Sequence, residues 1–356
     1  MTLRAVRARS TLATRPLLGA VLTVLAVLLA MLPPNPVHAA PGTAGPEGGS
    51  ASLRDQLDAA ARGYNDAAAR LDASKARQTQ LAEQMRATDT QLADLTTQVG
   101  ELAATAYKGG RVGGLIALLG SDSPDGLFQR ATTLESKARD DDRTLRRLKA
   151  AKAAQSDQQS ALDREITAQQ TQLAEMDKRK KAAEKALASA GSSQQTSGFS
   201  GGAAATATPS QSGGPVPAPR RADGTFAPES CSVKDPTTSG CLTPRTLHAL
   251  QQTKAAGFNH FVSCYRSQED GGEHPRGRAC DWAAAPSTFG GVATGADKDY
   301  GNRLAAWYVA NAKALGVLYV IWYKQIWLPS TGWRAYTSGD GTPSGDHTNH
   351  VHLSVQ

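Results

Sequence analysis

A chain of 356 residues is long enough for two domains, and its composition changes too sharply along its length for one uniform globule. Lys and Arg number 39 against 32 Asp and Glu, a formal charge of +7, but four of those charges are Arg4, Arg7, Arg9 and Arg15 in a leader without acids. The small positive balance left over makes no case for a nucleic-acid partner.

The leader arginines precede the apolar run "LLGAVLTVLAVLLAML" and then "PPNPVHAAP", with small residues at Ala39 and Ala40. A basic start, an apolar stretch short for a membrane span and a small-residue cleavage site make residues 1–39 a secretory signal peptide. The expected location is secreted, extracellular or cell-wall associated.

From Leu53 to Ala106 a single heptad register of inward positions continues without a break, and only Ser74, Gln78 and Thr88 among them are polar. Two Gly pairs and Pro124 then interrupt the helix around Leu115, Ile116, Leu118 and Leu119. A second register runs from Leu127 through Leu145, Leu162, Ile166 and Leu173 to Leu187. Two long helices joined by a breaker predict an antiparallel coiled-coil hairpin over residues 50–190, with parallel dimerisation as the competing arrangement.

Residues 191–228 are rich in Ser, Gly, Ala, Thr, Gln and Pro and carry too little apolar surface to fold, which reads as a disordered tether. Residues 229–356 hold all five tryptophans and all four cysteines and are numerous enough for a core of their own. "LTPRTLHALQQTKAAG" predicts a helix capped by Thr243, and "NRLAAWYVANAKALG" a second. "HFVSCYR", "GRACDWAA", "VLYVIWYKQIW" and "HVHLSV" predict strands, and "STGWRAYTSGDGTPSGD" a loop over the cleft. Helices outside a small sheet make this a small α+β domain.

In an exported chain an even cysteine count predicts two disulfides. Of three connectivities, the nearest-neighbour one pairs Cys231 with Cys241 and Cys264 with Cys280. On the last strand, alternation sets His350, His352 and Ser354 on one face and Val351, Leu353 and Val355 on the other. The apolar face belongs to the core, so the histidines are expected to face a cleft or solvent. Further back, "EHPRGRACDW" places His274 before a Gly-containing turn and Asp281 at a strand end. Two imidazoles and a carboxylate are a zinc ligand set that leaves a fourth position for water. His260 reads as structural. Trp322, Trp327 and Trp333 suit either an aromatic wall or the core, with the core favoured for Trp322.

The stretch "AYKGGRVGGLIALLGSDSPDGLFQRATTLE" resembles the coiled-coil region of bacterial cell-wall hydrolases and their activators. That resemblance implies recruitment by a membrane cell-division complex, and short apolar helices able to cover a hydrolase site. A plain spacer is the simpler reading. His274, Gly277, Ala279 and Asp281 stand as H-x-x-G-x-A-x-D, and His350 and His352 as H-x-H. These resemble the lysostaphin, D-Ala-D-Ala carboxypeptidase and hedgehog zinc-peptidase superfamily, in a secreted actinobacterial branch. The resemblance implies an antiparallel sheet, Zn²⁺ held by His274, Asp281 and His352, and catalytic roles for His350, Arg266 and His347. It implies a secreted peptidase, of D,D-carboxypeptidase or endopeptidase type, that hydrolyses amide bonds in peptidoglycan. The alternative is a non-catalytic wall-binding or hydrolase-activating module. Two positions depart from the pattern: Gly272 stands where a serine often precedes the first ligand, and Lys324 stands in the strand expected to hold a carboxylate base. His350, His347 and Asp346 are the substitutes for that base.

Overall fold

The computed structural model describes residues 49–110, 113–120, 123–199 and 214–356. The expected signal peptide and the middle of the expected tether, residues 200–213, lie outside them. No helix among the described residues is long and apolar enough to cross a membrane.

Helix α1, Ala51–Gly109, starts where the Ser50 hydroxyl accepts the Leu53 N–H. Helix α3, Pro124–Ser189, is capped in the same way by Ser123 and has proline in its first turn. The short α2, Gly113–Leu119, lies between them in sequence. Gln169 donates to Gln78 and Gln158 to Thr88, so residue numbers rise along one helix as they fall along the other. The long helices are therefore an antiparallel hairpin closed within one chain.

The seam of α1 follows the expected register, with Leu57, Ala60, Ala67, Leu71 and Leu95 buried. That of α3 does not over its middle. Leu145, Ile166 and Leu173 are exposed, whereas Ala151 is buried and Gln158 and Glu165 turn inward. The polar positions of α1 are the reason: Ser74 donates to the Glu165 carboxylate at 2.6 Å, and Arg77 donates to it at 2.8 Å. Satisfying a buried hydroxyl outweighs burying a leucine that water can reach at modest cost.

In the C-terminal domain β1, Val233–Lys234, pairs with β2, Cys241–Leu242. A second sheet has six antiparallel strands in the order β3-β4-β8-β5-β6-β7. These are β3 Val262–Ser263, β4 Ala279–Ala283, β5 Val317–Trp322, β6 Gln325–Leu328, β7 Gly332–Ala335 and β8 His350–Val355. The expected single strand "VLYVIWYKQIW" is corrected to a hairpin. Tyr323 and Lys324 adopt φ of 49° and 61°, the left-handed pair that a two-residue turn between twisted strands requires. The expected loop after Ser330 is likewise corrected, because it contains β7.

One face of the sheet presents Trp282, Val320, Trp322, Val351, Leu353 and Val355 to α4, Pro244–Ala255, and α5, Gly295–Ala310. Gly301 of α5 lets Trp322 lie against the helix backbone, where a Cβ would come within 2.2 Å of the indole. The short α6, Ala312–Leu315, follows. Trp322 is core, and Trp327 and Trp333 flank the same core rather than the histidine-bearing face. The opposite face packs Tyr319, Ile321, Ile326 and Tyr336 against Leu57, Ala60, Ala61, Ala183 and Leu187 at the root of the hairpin. The sheet is thus the middle layer of three.

Both ends of the expected tether lie against the domain. Gln195 bridges to Arg334, and Phe199 meets Trp333 edge-on at 5.1 Å. Ala218 and Phe226 are buried, with Arg220 and Arg245 stacked on the Phe226 ring. The tether reading is corrected over 191–199 and 214–228: two aromatic anchors outweigh a polar composition.

Candidate metal centre

Two strands and one turn bring the candidate residues together. Asp281 on β4 is paired with His352 on β8, and Ala283 with His350, so the carboxylate and both histidines share one face. His274 arrives from the turn before β4, which closes through the Gly277 N–H to the His274 carbonyl, with Gly277 at φ 68°. One atom each from His274, Asp281 and His352 can be chosen so that all three lie within 4.8 Å of one another.

The orientation of each ring follows from its outer partners. His274 Nδ1 bonds the Cys264 carbonyl, an acceptor, so that nitrogen carries the proton and Nε2 keeps a lone pair. Nε2 points at Asp281 Oδ2, 3.1 Å away. His352 Nε2 bonds the Ser354 hydroxyl at 2.8 Å, and its Nδ1 lies 2.8 Å from Asp281 Oδ1 and 3.3 Å from His274 Nε2. With His352 Nε2–H donating to the Ser354 hydroxyl, two imidazole lone pairs and a carboxylate converge on one point inside the protein. Such a set of acceptors is stable around a cation and costly without one.

His350 lies beside this set, with Nε2 3.5 Å from Asp281 Oδ1 and Nδ1 donating to Asn349 Oδ1 at 2.7 Å. Burial lowers its pKa to about 4 against the opposing pull of Asp281, so the ring is neutral at pH 7. His347 is fully buried in the left-handed region at φ 51°, its ring edge-on to Tyr336 and 4.7 Å from that of His350. Its Nδ1 donates to the Gly345 carbonyl, and its Nε2 has no hydrogen-bond partner among the described residues. Burial, followed by the neighbouring His350 and His352, pushes its pKa well down. Burial alone would raise the pKa of Asp281, but the surrounding His274, His350 and His352 outweigh it and hold the carboxyl well below its usual value.

Arg266 bonds Asp281 Oδ2 at 3.1 Å and approaches Asp270 at 3.5 Å, so here it orients a candidate ligand. Gly272, in the place of the missing serine, donates its N–H to Asp270. Lys324 sits on the β5–β6 turn, its ammonium 2.8 Å from Asp346. That ion pair occupies the one carboxylate among the substitute bases. His260 stacks on Tyr300 and bonds the Ala284 carbonyl, as a structural histidine does.

The expectation that the histidine face is open to a cleft or solvent is corrected. His274 and His352 are 0 % exposed, His350 6 % and Asp281 8 %. The root of the hairpin packs on this same sheet face, against Tyr319 and Ile321 beside His352. It reaches one wall of the site through Arg276 on Asp55 and Arg62 near Glu273, and Ser192, just beyond α3, bonds Thr337. Alternation along β8 identified which residues share a face but carried no information about what lies over that face.

Residues 238–351 match the family model described as VldE, C-terminal domain. The match takes in Arg266, His274, Asp281, His347 and His350 and stops one residue before His352. No curated protein and no solved structure matches the chain. Three participants escaped the sequence reading: the Cys264 carbonyl, Asn349, and Tyr319, which stacks on His352 at 5.5 Å. A backbone carbonyl leaves no mark in the sequence. Asn349 was legible as a polar residue next to a candidate.

Proposed function

We propose that the C-terminal domain is a zinc-dependent peptidase that hydrolyses amide bonds in peptidoglycan peptides outside the cytoplasm. The convergence of His274 Nε2, His352 Nδ1 and Asp281 on one buried point carries this reading, because imidazole and carboxylate in that number suit zinc. Bound there, zinc would supply Lewis-acid polarisation and acidify a water. His274 and His352 would hold it, the first kept in the required tautomer by the Cys264 carbonyl and the second bonded at Nε2 to the Ser354 hydroxyl. Arg266 fixes the Asp281 carboxylate. His350 is neutral and has its Nδ1 committed to Asn349, which leaves Nε2 to accept or return a proton. His347 Nε2 is a second acceptor on the same side. Two disulfides support an oxidising location.

Metal analysis of the full chain, followed by muropeptide profiling of digested cell wall, tests the reading. One zinc per chain that is lost in His352→Ala, with new muropeptides that His350→Ala does not produce, is the expected result. Absence of metal, or unchanged muropeptides from zinc-loaded protein freed of its hairpin contact, overturns it.

A second reading, favoured by the hairpin root over the site, is a non-catalytic module. In it the coil recruits the chain to a membrane division complex and the domain binds wall or activates another hydrolase. His350→Ala then changes nothing measurable, whereas pull-down with the full chain recovers a membrane partner.

A further inference from the structure

The Cys264–Cys280 disulfide lies at the point where the sheet's edge pairing gives out. Strand β3 contributes only two ladder pairs, Val262 with Trp282 and Ser263 with Asp281. The next opposed pair is Cys264 and Cys280, and there the bridge is covalent. Both cysteines are buried on the helix-facing side of the sheet, opposite the face that carries Asp281 and His352. Their backbones do. The Cys264 carbonyl accepts the Nδ1–H of His274, and Cys280 immediately precedes Asp281. The bond therefore ties the group that orients one ligand to the residue that carries another. Besides this bond, the Cys264 N–H reaches the Thr237 hydroxyl at 3.0 Å and the Tyr265 N–H the buried Asp235 carboxylate at 2.9 Å, and residues 264–278 leave the ladder until β4 begins.

The structure assigns the Cys264–Cys280 disulfide a positioning role in the metal centre: it holds the Cys264 carbonyl where it fixes the tautomer and ring angle of His274 relative to Asp281. This rests on the zinc reading above. A chain lacking the bond keeps its ligands but not their spacing, because a two-residue edge strand is free to slide or fray. The metal centre is then complete only where the cysteines are paired, which ties zinc loading to an oxidising compartment. The other disulfide, Cys231–Cys241, is the internal control. It packs under Gly277 in the middle of the turn and bonds neither ligand nor the carbonyl that orients one.

The test is zinc affinity, by competition with a chelator, in the full-length chain carrying Cys264→Ala with Cys280→Ala. Alanines are used so that no free thiol offers the metal a new ligand. Removing an outer partner of a ligating imidazole lowers metal affinity by about 10–100-fold, and that is the loss expected here. The companion variant Cys231→Ala with Cys241→Ala should lose several-fold less. Cobalt substituted for zinc gives a second readout, because its absorption spectrum reports ligand geometry, which a loss of stability alone leaves unchanged. Zinc affinity within about 3-fold of wild type, or equal losses in the two double variants, overturns the inference. If the Cys264 variant does not fold, Asp235→Asn loosens the Cys264–Tyr265 peptide, whose N–H bonds that carboxylate at 2.9 Å, with both disulfides intact, and wild-type affinity there overturns it too. A wild-type chain that takes up no zinc instead refutes the peptidase reading itself.

Discussion

Truncating Leu57 to alanine should uncover the histidine face. Leu57 is 7 % exposed in the apolar cluster that joins the hairpin root to Tyr319, Ile321 and Ile326. Leu→Ala removes three methylene equivalents, about 2.4 kcal/mol of transfer free energy, and a residual cavity raises the cost to about 3 kcal/mol. A cavity of about 30 Å³ already lies beside this side chain, lined by Leu53, Leu187 and Tyr336, so the neighbours have not closed the space that exists. A loss of about 3 kcal/mol in docking raises the undocked fraction roughly 100-fold. Imidazole acylation at pH 7, read residue by residue by mass spectrometry, should then modify His350 about 100-fold faster than in wild type, with Leu173→Ala as a control on the exposed shaft. Unchanged His350 protection in a Leu57→Ala protein that has lost stability would refute the argument that the root covers the site.

Ser354→Ala removes the hydroxyl bonded to His352 Nε2 and should lower zinc affinity about 10-fold without unfolding the domain, as measured by chelator competition. Gly301→Ala drives a methyl into Trp322 and should cost about 1–3 kcal/mol by denaturant unfolding, while Gly100→Ala, with open space around it, should not destabilise. Asp235 is buried, and although burial raises its pKa, bonds from Thr238, Tyr265 and Thr237 outweigh this and lower it from 3.8. Its contribution is therefore present above pH 3.8 and lost as pH falls below it, so the stability gap between wild type and Asp235→Asn should narrow in that window.

Much of the candidate site was legible because its signals are local. A strand's period of two decides that His350 and His352 share a face, and the spacing from His274 to Asp281 spans one turn and the start of one strand. Thr243 as a cap and the apolar seam of α1 were readable for the same reason. Lys324 misled because strand propensity continues through "VLYVIWYKQIW", and only the pairing of Ile321 with Ile326 turns the chain back there. Leu145, Ile166 and Leu173 misled because a heptad register assumes that the partner helix offers apolar holes, and α1 offers Ser74 and Thr88 instead.

The sequence by itself determined the division into hairpin and α+β domain, the alternation along β8, and the residue types that converge on one point. Those follow from backbone periodicity and side-chain chemistry within a few residues. Only the tertiary structure decided that α3 meets α1 through Gln158 and Glu165, that the ends of the polar stretch are anchored, and that the hairpin root packs on the sheet face that bears the histidines. These depend on contacts between residues far apart in the chain, from Thr88 with Gln158 to Leu57 with Tyr319. Their free energy comes from apolar area that no local pattern records.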